Sequence, residues 1–444
     1  MTDDAAVLAG RAPEEGSLVD RSLRLISDVH AGEGGTALIL AVNLFLLMVG
    51  YYVVKTVREP LVLVSGGAEM KSYAAAAQAL TLMGFVPLYS WFSSRVDRMR
   101  LITGVVLFFI VCIEAFYFGA LARVPLLGFV FFVWVGIFSL ATIAQFWSYA
   151  NDLYDKPTGE RLFPVVAIGA TAGPPIGSLV TEWLFKIGVR PYTMFHITAV
   201  LLAIHLGLYW LVERREAGRR GQSVKAQEPL SGPGGFALLL RNPYLLLLAV
   251  LLLVLNIVNT TGEYLVARTV LETAALAPTK EANEAIVGSF YGGYYFWTSM
   301  VALALQTFVA SRLVKYVGIG AIVLALPLVG LGTYSIVASG VGLAVLRWAK
   351  ICENATDYSI MNTGRQMLWL PTSREEKYKA KQAADTFVVR SGDMLSGVAV
   401  FLGTTFFAAG VRSFAIMNLV LIALWLTVAV RLVRYYRSLS ASRG

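Results

Sequence analysis

Long apolar runs, each broken off by a short polar connection, recur along the whole chain. They fall near 36–62, 72–93, 100–122, 125–150, 163–187, 191–212, 243–268, 285–310, 317–338, 340–364, 382–409 and 413–433. A hydrocarbon core takes about 20 mostly apolar residues per crossing helix, and every run meets that length. The pattern predicts an all-α membrane protein with about twelve transmembrane helices.

The polar intervals divide the runs six and six. Residues 213–242, with Glu213, Arg214, Arg215, Glu216, a Gly/Ser/Pro-rich stretch and Arg241, form the longest interruption after the N-terminus. The two sides of this interruption echo one another. Ser94-Arg95-Val96-Asp97-Arg98 resembles Ser311-Arg312-Leu313-Val314-Lys315, and Trp147-Ser148-x-x-Asn151 resembles Tyr358-Ser359-x-x-Asn362. Arg161 and Gly177 repeat as Lys381 and Gly397 at the same spacing. Two six-helix halves related by duplication describe a major-facilitator-like architecture, which holds its cargo near the midplane between the halves. The expected organisation is a cytoplasmic N-terminal segment at 1–35, a six-helix half at 36–212, a cytoplasmic linker at 213–242, a second six-helix half at 243–435 and a tail at 436–444. Within the first segment Leu18, Val19, Leu23, Ile26 and Val29 share the spacing of one helix face, as for a short amphipathic helix on the membrane surface.

Composition agrees with the runs. Hydrophobic types make up 57% of the chain and charged types 15%, against about 25% charged in soluble domains. Cys112 and Cys352 both fall in apolar stretches and offer no disulfide or metal framework. The start of the chain lacks the basic, apolar and small-residue zones of a secretory signal. A net charge of +9 does not point to nucleic acid, because the basic residues are spread over alternate loops. The loops holding Arg95, Arg98 and Arg100, then Lys156 and Arg161, then Arg214 to Arg241, Arg312 and Lys315, and Arg374 to Lys381 lie on one side with both termini. The positive-inside rule makes that side cytoplasmic, as for an integral protein of a bacterial inner membrane.

Charges inside membrane helices cost about 2.5–3.5 kcal/mol each on insertion scales, so they face protein or a water-filled cavity. The first run carries Lys55, Arg58 and Glu59, with Lys55 three and four residues from the others. The seventh has Asn256, Asn259 and Glu263, the tenth Lys350, Glu353 and Asp357, and the eleventh Lys379, Lys381, Asp385, Arg390 and Asp393. Such spacings place each set on one helix face, and the four faces are expected to converge on one aqueous cavity. The plainer alternative is local ion pairing of Lys350 with Glu353, Lys381 with Asp385 and Arg390 with Asp393. Several cations with fewer carboxylates suit a phosphate- or carboxylate-bearing cargo. The aromatic run from Phe290 to Trp297 is read as an interfacial belt. Glu114 reads as a local structural residue, and His196 and His205 have no third ligand to suggest a metal. Phosphate-loop, nucleophile-elbow and zinc-protease signatures do not occur, so no catalytic residues and no cofactor are expected.

One further reading comes from resemblance. Lys55-Thr56-Val57-Arg58-Glu59-Pro60-Leu61-Val62 with Gly67-Ala68-Glu69 resembles a stretch of the ATP/ADP translocase family of plastids and intracellular bacteria. The likeness continues through Phe146 to Asn151, Glu160 to Pro164, Glu353 to Ser359, Arg365-Gln366-Met367, Leu370-Pro371, Lys379-x-Lys381-x-x-x-Asp385 and Arg390-Ser391-Gly392. The resemblance implies nucleotide exchange, with Arg58 and Lys381 holding phosphate and Glu263 ordering the cations. The chain departs from the family pattern at Arg58, Glu59, Pro60, Arg365-Gln366 and Asp393, where the family has Lys, Asp, Thr, Lys-Glu and Lys. The expected substrate-binding set is Lys55, Arg58, Glu59, Asn151, Asn259, Glu263, Lys350, Glu353, Asp357, Lys381, Asp385 and Arg390. The expected partners are an anionic small molecule of nucleotide type and the lipid bilayer, with no nucleic acid and no obligate protein partner. The competing readings are a proton-coupled carrier of another organic anion and a non-transporting membrane scaffold or sensor on the same fold.

Overall fold

Inside a bilayer every backbone polar group must be paired within its own segment or an adjoining strand, and a helix does this locally. The computed structural model describes residues 17–25, 27–93, 95–217, 235–373 and 375–441, which are helical throughout their long segments and contain no strand. The linker positions Arg219, Arg220 and Lys225, together with Ser94 and Arg374, lie outside the described residues.

The longest helical stretch, Gly34–Ser93, is two spans, α1 and α2, meeting at Gly67. Gly67 has a φ of 83°, a left-handed value that suits a residue without Cβ. The chain reverses there. Lys71 returns to 2.8 Å from Glu59, whereas twelve residues of straight helix cover about 18 Å. The next spans are α3 (Arg98–Leu121), α4 (Leu127–Leu153), α5 (Lys156–Lys186), α6 (Met194–Glu216) and α7 (Pro243–Ala274). They are followed by α8 (Lys280–Tyr316), α9 (Ile319–Ala338), α10 (343–368), α11 (Lys381–Phe407) and α12 (Val411–Ala441). Ten helices among the described residues are long and apolar enough to cross a membrane. Division at Gly67 adds one to that number. The other is α10, whose Arg347, Lys350, Glu353, Asp357 and Arg365 make it too polar by composition alone. An even number of spans leaves both termini on one face, called here the terminal face; the opposite one is the far face.

Two apolar cores organise the spans. One gathers residues from Leu40 to Val212; the other gathers α7 to α12 and also takes in Val62, Leu63, Ala68 and Ala74 around the Gly67 turn. The outer helices α3 and α12 leave side chains such as Phe108, Val111, Val420 and Leu424 uncovered, as a lipid-facing surface requires. Helix α5 packs on α1 through Gly169, Gly173 and Gly177, a four-residue repeat of small side chains. A Cβ at Gly177 would lie 2.7 Å from the Val49 carbonyl oxygen, so only glycine permits this approach.

The halves meet at the far face. A Cβ at Gly292 of α8 would sit 2.8 Å from the Glu182 Cα of α5, and the Tyr264 hydroxyl of α7 donates to Glu69 of α2 at 2.9 Å. On the terminal face Arg98 pairs with Asp152 at 3.4 Å, Arg161 with Glu33 at 2.9 Å, and Asn242 with Glu376 at 2.7 Å, all within one half. A groove of about 710 Å³ lies there between α2 and α11, bordered by Trp91 and Phe387.

The N-terminal segment docks on that face. A short helix, Leu18–Leu23, leaves Leu18 exposed, while Asp20 is buried against the start of α1. Asp20 accepts from the Gly34 N–H at 2.8 Å, the Gly32 N–H at 3.1 Å and the Ser17 N–H at 2.8 Å. Burial pushes its carboxyl up, but these donors and the Ser17 hydroxyl outweigh burial and lower it from 3.8 to about 2. A depressed carboxylate stabilises the folded form above its unfolded value and ceases to do so as pH falls through its folded value. Docking of this segment should therefore be constant above about pH 4 and fail as pH drops toward 2. Asp20→Ala should release it at neutral pH, seen as faster hydrogen exchange at the Gly32 and Gly34 amides; unchanged exchange would remove Asp20 from this role.

Candidate functional site

Helical periodicity turns Tyr51, Lys55 and Arg58 of α1 toward the junction between the halves, where they line a cavity of about 280 Å³. Across it stand Asn259 and Glu263 of α7, Tyr295 of α8, Asn354 and Tyr358 of α10, and Arg390 and Asp393 of α11. Lys71 and Gln78 of α2 and Phe132 of α4 complete the walls.

A buried carboxylate anchors this site. Glu59 has no solvent exposure, and its Oε1 accepts from Arg58 at 3.0 Å and from the Tyr295 hydroxyl at 2.9 Å. The Lys71 ammonium stands 2.8 Å from Oε2, and it also donates to the Tyr291 hydroxyl at 3.1 Å and reaches Glu263 at 3.7 Å. Glu263 Oε1 accepts from the Tyr294 hydroxyl and from Asn354 Nδ2, each at 2.9 Å. Arg390 and Asp393 pair at 3.4 Å, and the Thr260 hydroxyl donates to Asp393 at 2.7 Å.

The cations differ in how they are held. Arg58 lies over the Phe132 ring at 4.0 Å and keeps Glu59 as its acceptor. Lys55 has no ion-pairing carboxylate among the described residues; its ammonium stands 4.4 Å from the centre of the Tyr295 ring and 4.7 Å from that of Tyr52. Around the cavity four cations, Lys55, Arg58, Lys71 and Arg390, face three carboxylates, Glu59, Glu263 and Asp393. One positive charge is left over in a low-dielectric setting, where charge interactions are several times stronger than in water.

Of the residues singled out in the sequence, Lys55, Arg58, Asn259, Glu263 and Arg390 line this cavity and Glu59 sits directly behind it. The rest do not converge here. Lys350 and Glu353 form a buried pair at 3.1 Å beside the Tyr334 hydroxyl, packed within the second half. Asp357 pairs with Arg365 at 2.5 Å one turn closer to the terminal face. Lys381 donates to Gln366 at 2.7 Å rather than pairing with Asp385, and both line a separate cavity of about 240 Å³ with Arg365. Position along the axis separates them, because Lys381 is nine residues, about 13 Å of helix, from Arg390, and π-helical turns at Asp357–Met361 and Ala384–Val388 interrupt the regular register of α10 and α11. Asn151 is exposed at the terminal end of α4, beside Asp155 and Glu160.

Lys71 was hidden from sequence reasoning by its place beside Gly66-Gly67, where the polar interval reads as a loop. The tight turn at Gly67 carries it into the protein instead. The aromatic run on α8 is also corrected: Tyr291, Tyr294 and Tyr295 are buried against α1 and α7, with hydroxyls on charged groups rather than at a membrane interface.

Removing one partner of a buried ion pair leaves the other charge uncompensated, at a cost of about 3–5 kcal/mol. Lys71→Met and Glu59→Gln should each destabilise the protein by about that much, while the double variant should be less destabilised than the sum of the two. Thermal unfolding in detergent measures this; strict additivity would show that the two side chains are not coupled.

No family model matches the chain. It is 24% identical over 349 residues to ADP,ATP carrier protein 1 of Chlamydia muridarum, covering 67% of this chain and 63% of that protein. The protein of the same name from Chlamydia trachomatis is 23% identical over 346 residues, with the same coverage. The chain thus spans about 63% of the length of these curated relatives. Among solved structures, a bacterial homologue of the iron transporter ferroportin superposes with a TM-score of 0.66 at 13% identity, over 90% of this chain and 98% of that one. The nucleoside transporter NupG does so with a TM-score of 0.63 at 13% identity and the same coverage. A POT family transporter gives a TM-score of 0.63 at 14% identity, over 91% of this chain and 96% of that one. The chain is therefore similar in sequence to the chlamydial ADP,ATP carrier proteins and shares the all-helical, two-lobed fold of these solved transporters.

Proposed function

We propose that the protein exchanges nucleotides, or closely related phosphorylated anions, across a bacterial inner membrane by alternating access, with both termini in the cytoplasm. The observation that carries this reading is Lys55: a cation with no carboxylate partner, beside the Arg58 fork, in a cavity between two halves that can rock. The names of the chlamydial relatives supply the cargo class, and the excess positive charge of the cavity agrees with it.

The same contacts hold the halves together and await the cargo. Lys71 of α2 reaches Tyr291 and Glu263 of the second half, and Tyr295 donates to Glu59 of the first. Phosphate oxygens entering beside Lys55 and Arg58 compete with Glu59 and Glu263 for Lys71 and Arg58. Binding then exchanges contacts between the halves for contacts to cargo, so the loaded and empty forms prefer different conformations. Without cargo the carboxylates recapture the cations, which disfavours return of an empty carrier and favours exchange over leak. Tyr264 and Arg268 on Glu69 close the far face above the site.

The cavity of about 280 Å³ lies just under the range of about 300–1,000 Å³ usual for small-molecule pockets. Cargo therefore widens the site as it enters, and the groove between α2 and α11 marks the terminal face as the side of entry. In this scheme Asn259 and Arg390 contact cargo directly and Lys350–Glu353 braces α10. Lys381 and Asp385, with Asp357 nearby on Arg365, form a loading station at the cytoplasmic mouth. Asn151, beyond both cavities, takes no part in the central step.

Purified protein in proteoliposomes should take up labelled ADP or ATP only when nucleotide is present inside. Uptake that ignores internal nucleotide would refute exchange, and no uptake by folded protein would refute the cargo assignment. Lys55→Gln and Arg58→Gln should each abolish uptake while leaving thermal stability near wild type for the first and lower for the second. Lys381→Gln should instead raise KM several-fold with activity retained; equal losses in all three would merge the central site and the mouth into one.

A further inference from the structure

The hydrogen bonds around Glu263 determine the chemical character of one wall of the cavity. An ionised carboxylate only accepts, so the Asn354 group 2.9 Å from Glu263 Oε1 must be the amide nitrogen. The O/N ambiguity of an asparagine side chain is thereby removed. The Tyr294 hydroxyl gives its one hydrogen to Glu263 and accepts from the same Asn354 amide nitrogen at 2.7 Å. The amide nitrogen of Asn354 is committed to these two acceptors.

Its acceptor is not. Asn354 is 4% exposed and lines the cavity, and its Oδ1 is buried with no hydrogen-bond donor among the described residues. A buried acceptor left without a donor is unfavourable, and every donor of its own triangle is already used. Neither Lys55 nor Arg58 donates to it among the described residues.

We infer that Asn354, oriented by Glu263 and Tyr294, is a specificity-determining residue that accepts a hydrogen bond from an N–H or O–H group on the uncharged part of the cargo. Ionised phosphate oxygens are acceptors and cannot satisfy Oδ1, so the donor belongs to a different part of the same molecule, a sugar hydroxyl or a base amino group. Anions without such a part, such as pyrophosphate, meet the cations but leave Oδ1 unpaired and bind less tightly. Glu263 acts as a positioning residue: it fixes which face of the amide Asn354 offers. The inference rests on the nucleotide-exchange reading and specifies which half of the cargo this wall selects.

The test is inhibition of labelled ADP uptake into proteoliposomes by ADP, inosine diphosphate, 2′-deoxy-ADP, 3′-deoxy-ADP and pyrophosphate, in wild type and Asn354→Ala. Wild type should prefer ADP to pyrophosphate and to at least one nucleotide analogue by about tenfold or more. The analogue that fails identifies base or sugar as the donor. In Asn354→Ala that preference should disappear, because ADP weakens about tenfold while the failing analogue is unchanged. A preference that survives in the variant, or an equal weakening of all inhibitors, overturns the assignment. Should Asn354→Ala not fold, as judged by gel filtration, the wild-type series still decides: equal inhibition by all five compounds overturns it. Absence of inhibition by every nucleotide in wild type would instead reject the proposed function, and this inference with it.

Discussion

A carboxylate with no solvent exposure in the middle of a membrane protein cannot stand alone, and the arrangement around Glu59 follows from that constraint. Its two oxygens are met by Arg58 from the same helix, Lys71 from α2 and Tyr295 from α8. Two of these three partners come from other spans, so satisfying one charge fixes the approach of α1, α2 and α8. The Gly67 turn is part of the same solution, because only a reversal that sharp returns Lys71 to its partner. Desolvated charges are not a strong source of stability. Their retention here accords with the proposed exchange of these contacts for cargo.

Close glycine packing supplies the complementary constraint. The α5 glycines lock α5 to α1, while Gly292 lets α8 approach α5 across the boundary between halves. In the proposed exchange, polar contacts at the cavity are traded while the α5–α1 seam stays shut.

The branching of the polar network also separates roles that charge alone would merge. Glu59 gathers cations, Glu263 orients an amide, and Asp393 holds Thr260 and Arg390. Lys350 and Glu353, with the same spacing and charge pattern as an exchangeable pair, are buried against Tyr334 and serve packing.

Length and hydropathy of the apolar runs, the polar interval after residue 212 and the internal echoes made the twelve-helix, two-lobed fold readable from the chain, because each span must satisfy its own backbone and cross the same thickness. Spacings of three and four residues likewise brought out the face of α1 with Lys55 and Arg58 and that of α7 with Asn259 and Glu263, since a regular helix preserves such faces. A shared face does not fix the level along the axis: Lys381 lies nine residues, about 13 Å of helix, from Arg390, and with Asp385 it lines a separate cavity. The membership of Lys71, the burial of Tyr291, Tyr294 and Tyr295, and the orphaned acceptor of Asn354 depended on side chains from distant spans meeting at one place. Local sequence determines the helices and their polar faces; only tertiary packing decides which charges find partners and which, like Lys55, have no carboxylate among the described residues, because partners come from distant spans.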